Sequence, residues 1–258
     1  MEVHYPHHPT HKKKWSEYII EFFMLFIAVF SGFMAESYLE YRTERHKEHD
    51  YLVSLVTDLK MDSTDMSNKM KYMGELIDTS ISVSKALTKN NISKEEIYRI
   101  YNNTVYLETK NCFLEFANGT FDQLRNAGGF RLIRNKEIND KIKDYLVDQG
   151  RLSLQTELYR TEWNNSKHQK LNLLHCDIFH SEGVKFDEMK WMVDENALEK
   201  RKNETGSYFL SKDKNDIFRY SNSIASQMGY LKVYRIWTGL QRDKATELIK
   251  LIQEEITQ

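Results

Sequence analysis

Proline is almost absent. The 258 residues contain two, Pro6 and Pro9, both within the first ten positions. From Thr10 onward no residue combines a fixed φ with a missing backbone donor, so long uninterrupted helices are expected. Glycine is scarce as well, at ten residues. Cysteine is limited to Cys112 and Cys176, which excludes a disulfide-rich scaffold. The pair leaves two readings open: one cross-link in an oxidising compartment, or two small buried apolar side chains. Neither sign of charge dominates. The net charge of −1 removes any general electrostatic ground for a nucleic-acid partner.

Motifs that carry chemistry are missing too. There is no phosphate-cradling glycine loop, zinc-protease helix, paired CxxC or Gly-x-Ser-x-Gly elbow. No reaction is nominated and no cofactor implied, so a protein that is not an enzyme is expected. His4, His7, His8 and His11 crowd the amino-terminal tail, but flanking prolines and Glu2 as the single nearby carboxylate make adventitious metal binding the expectation. His46 and His49 lie beside Glu44, Glu48 and Asp50 on a charged face and read as solvated. His175, Cys176 and His180 have no spacing that aims three ligands at one point. Asn-x-Ser/Thr triplets begin at Asn102, Asn118, Asn164 and Asn203, a pattern that Asn-rich chains produce by chance.

What the chain does have is one long apolar run. Residues 22 to 35 read FFMLFIAVFSGFMA, and Tyr18, Ile19 and Ile20 extend the run backward across Glu21. Trp15 to Ala35 as a helix spans about 30 Å, the thickness of a bilayer's hydrocarbon core. Lys12, Lys13, Lys14, Trp15 and Tyr18 flank one end, and Tyr38 and Tyr41 the other, where basic and amphipathic side chains prefer the interface. A soluble-core helix would need Glu21 paired, and a cleavable signal would need small residues where Phe33-Met34-Ala35 stands. The expectation is an uncleaved anchor in three parts: a basic, His-rich cytoplasmic tail over 1–16, a transmembrane helix over 17–36, and an extracytoplasmic helical domain over 37–258. Orientation rests on the lysine triplet, because Arg42, Arg45 and Lys47 tie the local count.

Within the span, Ala28, Ser31, Gly32 and Ala35 fall at i, i+3, i+4 and i+7, a face of small residues that lets membrane helices approach closely. Glu21 is an ionisable group near the cytoplasmic end of the same span.

Beyond Ala35 nothing signals a turn. Leu52, Leu59, Met66, Met73 and Leu87 share one heptad position, with Leu55, Leu76 and Val83 in its companion, where Asp62 and Lys69 interrupt. That predicts a bundle helix reaching about residue 88 rather than a strict coiled coil. Ser93 and Glu96 form a capping box for a helix from Lys94 to about Thr104. Thr120 can cap a short helix through Arg125, and Gly128-Gly129 stops it. Asn135 opens a helix that extends to about His175. A short helix from Asp187 to about Lys202 is expected, then a long one from Asp213 with Gly229 and Gly239 as weak points. No stretch alternates clearly enough to require a sheet, so the fold class is all-α: one amino-terminal transmembrane helix continuing into an extracytoplasmic bundle.

Two stretches carry a resemblance. The anchor from Glu21 to Gly32 followed by Tyr51-Leu52 to Leu59-Lys60, and the middle block Thr120-Phe121-Asp122-Gln123-Leu124, Gly128, Leu132-Ile133, Asn135 and Ile142 to Tyr145, resemble an uncharacterised family of single-pass helical membrane proteins common in Bacteroidota, a domain of unknown function. Ile20 and Ser37-Tyr38 stand where that family has a glycine and a polar-tryptophan exit. The resemblance implies topology and a helical fold, and no activity. The expected role is an interaction protein, whether scaffold, accessory subunit or sensor, in the cytoplasmic membrane, with lipid, further copies of itself and an unidentified protein as partners. The rival expectation is a subunit of an oligomeric channel or transport complex that uses Glu21.

Overall fold

A computed structural model describes residues 14–180, 184–187 and 190–257. The tail expected over 1–16, including Lys12, Lys13 and the four histidines, lies almost wholly outside them. The protein is all-α, 82% helical. Its helices are α1 (Trp15–Leu87), α2 (Lys94–Thr109), α3 (Gly119–Asn126), α4 (Lys136–Lys170), α5 (Glu195–Thr205) and α6 (Lys214–Ile256). The chain divides into two compact units, Met1–Tyr51 and Leu52–Gln258.

In the second unit the heptad stripe of α1 is core, as its spacing predicts. Leu52, Leu59, Met66, Met73 and Leu87 are buried, together with Leu55, Leu76 and Val83. α4 and α6 pack along one another. Tyr159 of α4 stacks on Tyr234 of α6 with ring centroids 6.0 Å apart, and Gln241 Nε2 donates to the Tyr145 carbonyl at 3.0 Å. Burying aromatic rings of this size supplies much of the area that holds such a core.

Caps place most helix starts where the sequence does. Ser93 and Glu96 form the capping box, and Asn135 Oδ1 accepts from the Glu137 and Ile138 backbones. α3 is different. Its start has no local side-chain cap, and the Thr120 N–H donates instead to Asp58 Oδ2 of α1 at 3.0 Å. Thr120 therefore does not cap its own helix; a residue 62 positions away does.

Two further expectations are corrected, and the long last helix is found. The segment expected to be helical from Asp187 contains a two-stranded antiparallel hairpin, β1 (Val184–Asp187) with β2 (Lys190–Val193), and α5 begins only at Glu195. Four-residue strands are too short for an alternation to register in sequence, and this pair is held by tertiary contact: Val193 donates to Asn102 Oδ1 at 2.7 Å and accepts from the Tyr98 hydroxyl at 2.7 Å. α4 stops at Lys170, short of His175, because Leu173 and Leu174 turn into the core. α6 runs unbroken through Gly229 and Gly239, its buried stripe from Tyr220 to Ile252 outweighing the roughly 1 kcal/mol that each helical glycine costs. Cys112 and Cys176 are both free thiols.

One glycine is required by packing. A Cβ on Gly129 would lie 2.9 Å from Leu124 Cδ2 and 3.2 Å from Leu124 Cα, and Leu124 is fully buried. Gly129→Ala is expected to destabilise the domain by about 1–3 kcal/mol, the usual cost of overpacking. Chemical denaturation checks it; an unchanged midpoint would show that the α3–α4 junction can shift freely.

Candidate functional site

The apolar part of α1 is uncovered. An 18-residue window there has no buried residue, and it is long and apolar enough to cross a membrane. A core helix of a soluble protein would be covered, and this stretch is not. Phe22, Phe26 and Phe30 recur at i, i+4 and i+8, and their rings stack at 6.3 and 5.8 Å. At about 100° per residue they form a bulky ridge on one side of the helix.

The small residues lie on the other side. Ala28, Ser31, Gly32 and Ala35 are all exposed, and nothing lies within 4 Å of a Cβ built on Gly32. Ser31 Oγ donates to the Ile27 carbonyl at 2.6 Å, so its hydroxyl proton is satisfied within the helix and exposes no unpaired donor. Glu21 stands seven residues before Ala28, two helical turns, on the small-residue side. Trp15, Tyr18, Tyr38 and Tyr41 are exposed at the two ends of the run, and Lys14 is the described member of the lysine triplet.

The domain beyond contains a polar cluster that the heptad pattern registers as an interruption. Asp62, in the companion heptad position, is buried rather than turned to solvent. Its Oδ2 accepts from the Tyr145 hydroxyl at 2.8 Å and its Oδ1 from the Ala117 N–H at 2.8 Å. Burial holds its carboxyl above the usual carboxylate range, opposed by those two hydrogen bonds. Phe121 stacks on Tyr145 at 5.7 Å. Asp58 and Asp62, one turn apart, thus clamp the segment leading into α3, and the middle block carrying the resemblance is largely the material they hold: Thr120, Phe121, Leu124, Ile142 and Tyr145 are all buried. An aspartate interrupting the apolar stripe, with a second one turn before it, was the available signal, but only the fold shows what the pair grips.

Reactive chemistry is not favoured at the cysteines. Burial pushes the Cys112 thiol up to about 11 and raises that of Cys176, away from the thiolate that nucleophilic or metal chemistry needs. His175 is placed structurally: its Nε2 sits 3.2 Å from the Ser207 carbonyl, and burial lowers its basicity. His46 and His49 each face Asp50, at 3.6 and 3.7 Å, on an exposed stretch. Among the described residues no group of three His, Cys, Asp or Glu side chains could hold a metal ion. Asn102 and Asn118, which begin two of the glycosylation-type triplets, are engaged by Val193 and by Gln149 Nε2, the latter at 2.7 Å.

Comparison with models of protein families, with curated proteins and with solved structures finds no match to this chain.

Proposed function

We propose that this protein is a membrane-anchored helical interaction protein, a scaffold, accessory subunit or sensor that assembles through its anchor. It sits in the cytoplasmic membrane with its amino terminus inside and the domain beyond residue 36 outside. The observation that carries this reading is the pairing of an uncovered apolar stretch in α1 with a domain that closes a core of its own. The likeness to the Bacteroidota single-pass family supports the same topology. In lipid there is no hydrophobic drive between helices, so association depends on close van der Waals approach, which the face of Ala28, Ser31, Gly32 and Ala35 permits.

The test is the oligomeric state of the full-length chain in mild detergent beside a truncated chain beginning at Ser37. Assembly confined to the full-length form is the expected result, and Gly32→Leu is expected to reduce it to monomer by filling the approach surface. Two monomeric forms, or an oligomer indifferent to Gly32→Leu, would move the search to a separate partner protein.

A second reading draws on the position of Glu21 on the small-residue face. Copies that associate through that face bring their Glu21 carboxylates toward one another, an arrangement suited to an ion path. Glu21→Gln should then abolish flux in reconstituted vesicles while assembly persists; unchanged flux removes the idea.

A further inference from the structure

The end of α1 and the start of α2 leave a groove of about 220 Å³ between them. Its floor is apolar, formed by Val83, Ala86 and Ile100. Its walls are not. α1 contributes Ser82 and Lys85, the turn just beyond it contributes Lys89, and α2 contributes Glu96, Arg99 and Asn103 at i, i+3 and i+7. They flank the buried apolar positions Val83 and Leu87 of α1 and Ile97 and Ile100 of α2, so cations and hydrogen-bonding groups from two elements line the rim of one apolar floor.

The charges in the groove do not cancel. Glu96 is its one carboxylate, and it is already engaged: it pairs with Lys89 and accepts from the Ser93 backbone N–H at 3.2 Å as part of the capping box. Those contacts, Lys89 foremost, hold its carboxyl below the usual range. Lys85 is exposed with no carboxylate partner among the described residues, and Arg99, also exposed, lies in the field of Glu96 without forming an ion-pair contact with it. Asn103 Nδ2 donates to Ser82 Oγ at 3.5 Å, which leaves the Ser82 hydroxyl proton available to a ligand.

From this arrangement we infer that the groove is a binding site for phosphate, either as the free ion or as the phosphate group of a small monoester. Lys85, Lys89 and Arg99 against the single carboxylate of Glu96 leave a surplus of positive charge that matches the charge of about −1.5 to −2 that a phosphomonoester carries at neutral pH. A guanidinium offers paired N–H donors to its oxygens, Lys85 adds a point charge, and the apolar floor suits a short carbon substituent. The volume lies below the roughly 300 Å³ at which drug-sized sites begin, which favours a compact anion over a nucleotide.

The experiment is calorimetric titration of the full-length protein, in a maltoside detergent, with inorganic phosphate. Saturable binding is expected, weakened roughly tenfold or more by Lys85→Gln and by Arg99→Gln, as the loss of a charge-assisted hydrogen bond implies. Both side chains are exposed, so the melting temperature should not move, and Arg99→Lys, which keeps the charge but loses the paired donors, should bind with an affinity between those of wild type and Arg99→Gln. Competition with a short-chain phosphatidate separates the sources. Tighter binding than phosphate assigns the natural ligand to a lipid headgroup; weaker binding assigns it to a free phosphate. No saturable heat at millimolar phosphate, or binding that both glutamine variants leave intact, overturns the inference.

Discussion

Replacing Phe26 and Phe30 together by aspartate is expected to abolish the membrane retention that the proposed anchor implies. Each aspartate at the centre of a spanning helix opposes insertion by about 2.5–3.5 kcal/mol, and each lost phenylalanine removes a few tenths more. The pair therefore costs about 6 kcal/mol, a factor of roughly 10⁴ in partition. The two rings belong to the stacked ridge of α1, so the substitutions also remove that packing. Alkaline extraction followed by flotation reads the outcome. Phe218→Asp is the control: Phe218 is also an exposed phenylalanine, but it lies on α6, outside the span, and its replacement should leave the chain in the floated fraction. A doubly substituted chain that still floats would refute the anchor, and with it the proposed topology.

The second large effect is inside the domain. Asp62→Ala strands the buried Tyr145 hydroxyl and the half-buried Ala117 N–H, at about 1–3 kcal/mol for the buried donor and less for the other, so a loss of about 2 kcal/mol or more is expected. Asp62→Asn keeps the shape and one acceptor oxygen, and should cost far less. Urea unfolding followed by far-ultraviolet circular dichroism measures both. If alanine and asparagine behave alike, the clamp on the segment before α3 contributes nothing.

The pH dependence of this pair has a definite sign. The Asp62 carboxyl is held above its ordinary value of 3.8, chiefly by burial, so between the two values the folded state binds more protons than the unfolded state. The stability this group contributes is complete below its ordinary value and is lost as pH rises through the raised one. Wild type should therefore gain on the Asp62→Asn variant as pH falls from neutral. A gap that stays constant, or that closes toward acid, would mean the two hydrogen bonds outweigh the burial.

Asp62 also marks the boundary between what the sequence could tell and what it could not. A run of apolar residues, a heptad stripe and a capping box are local: their physics is contained within one or two helical turns. The apolar stretch in α1, the core face from Leu52 to Leu87 and the starts of α2, α4 and α6 were legible for that reason. So was the small-residue face of the candidate site, since helix geometry alone places Ala28, Ser31, Gly32 and Ala35 together. The groove between α1 and α2 was not, because its two walls come from separate parts of the chain and each, taken alone, reads as an ordinary solvated face.

The amino-acid sequence by itself determined that the protein is all-α, where α2, α4 and α6 begin, and that one stretch of α1 is apolar enough to cross a membrane. Tertiary structure decided the rest. Asp62 reads as a break in a stripe until Ala117 and Tyr145, 55 and 83 residues away, bring it the donors that make its burial tolerable. α3 starts without a local cap because Asp58 supplies one across the fold, and a hairpin replaces part of an expected helix because Asn102 and Tyr98 hold its end. In each case the deciding partner is distant in sequence, and a buried polar group is stable only once the fold has brought that partner to it.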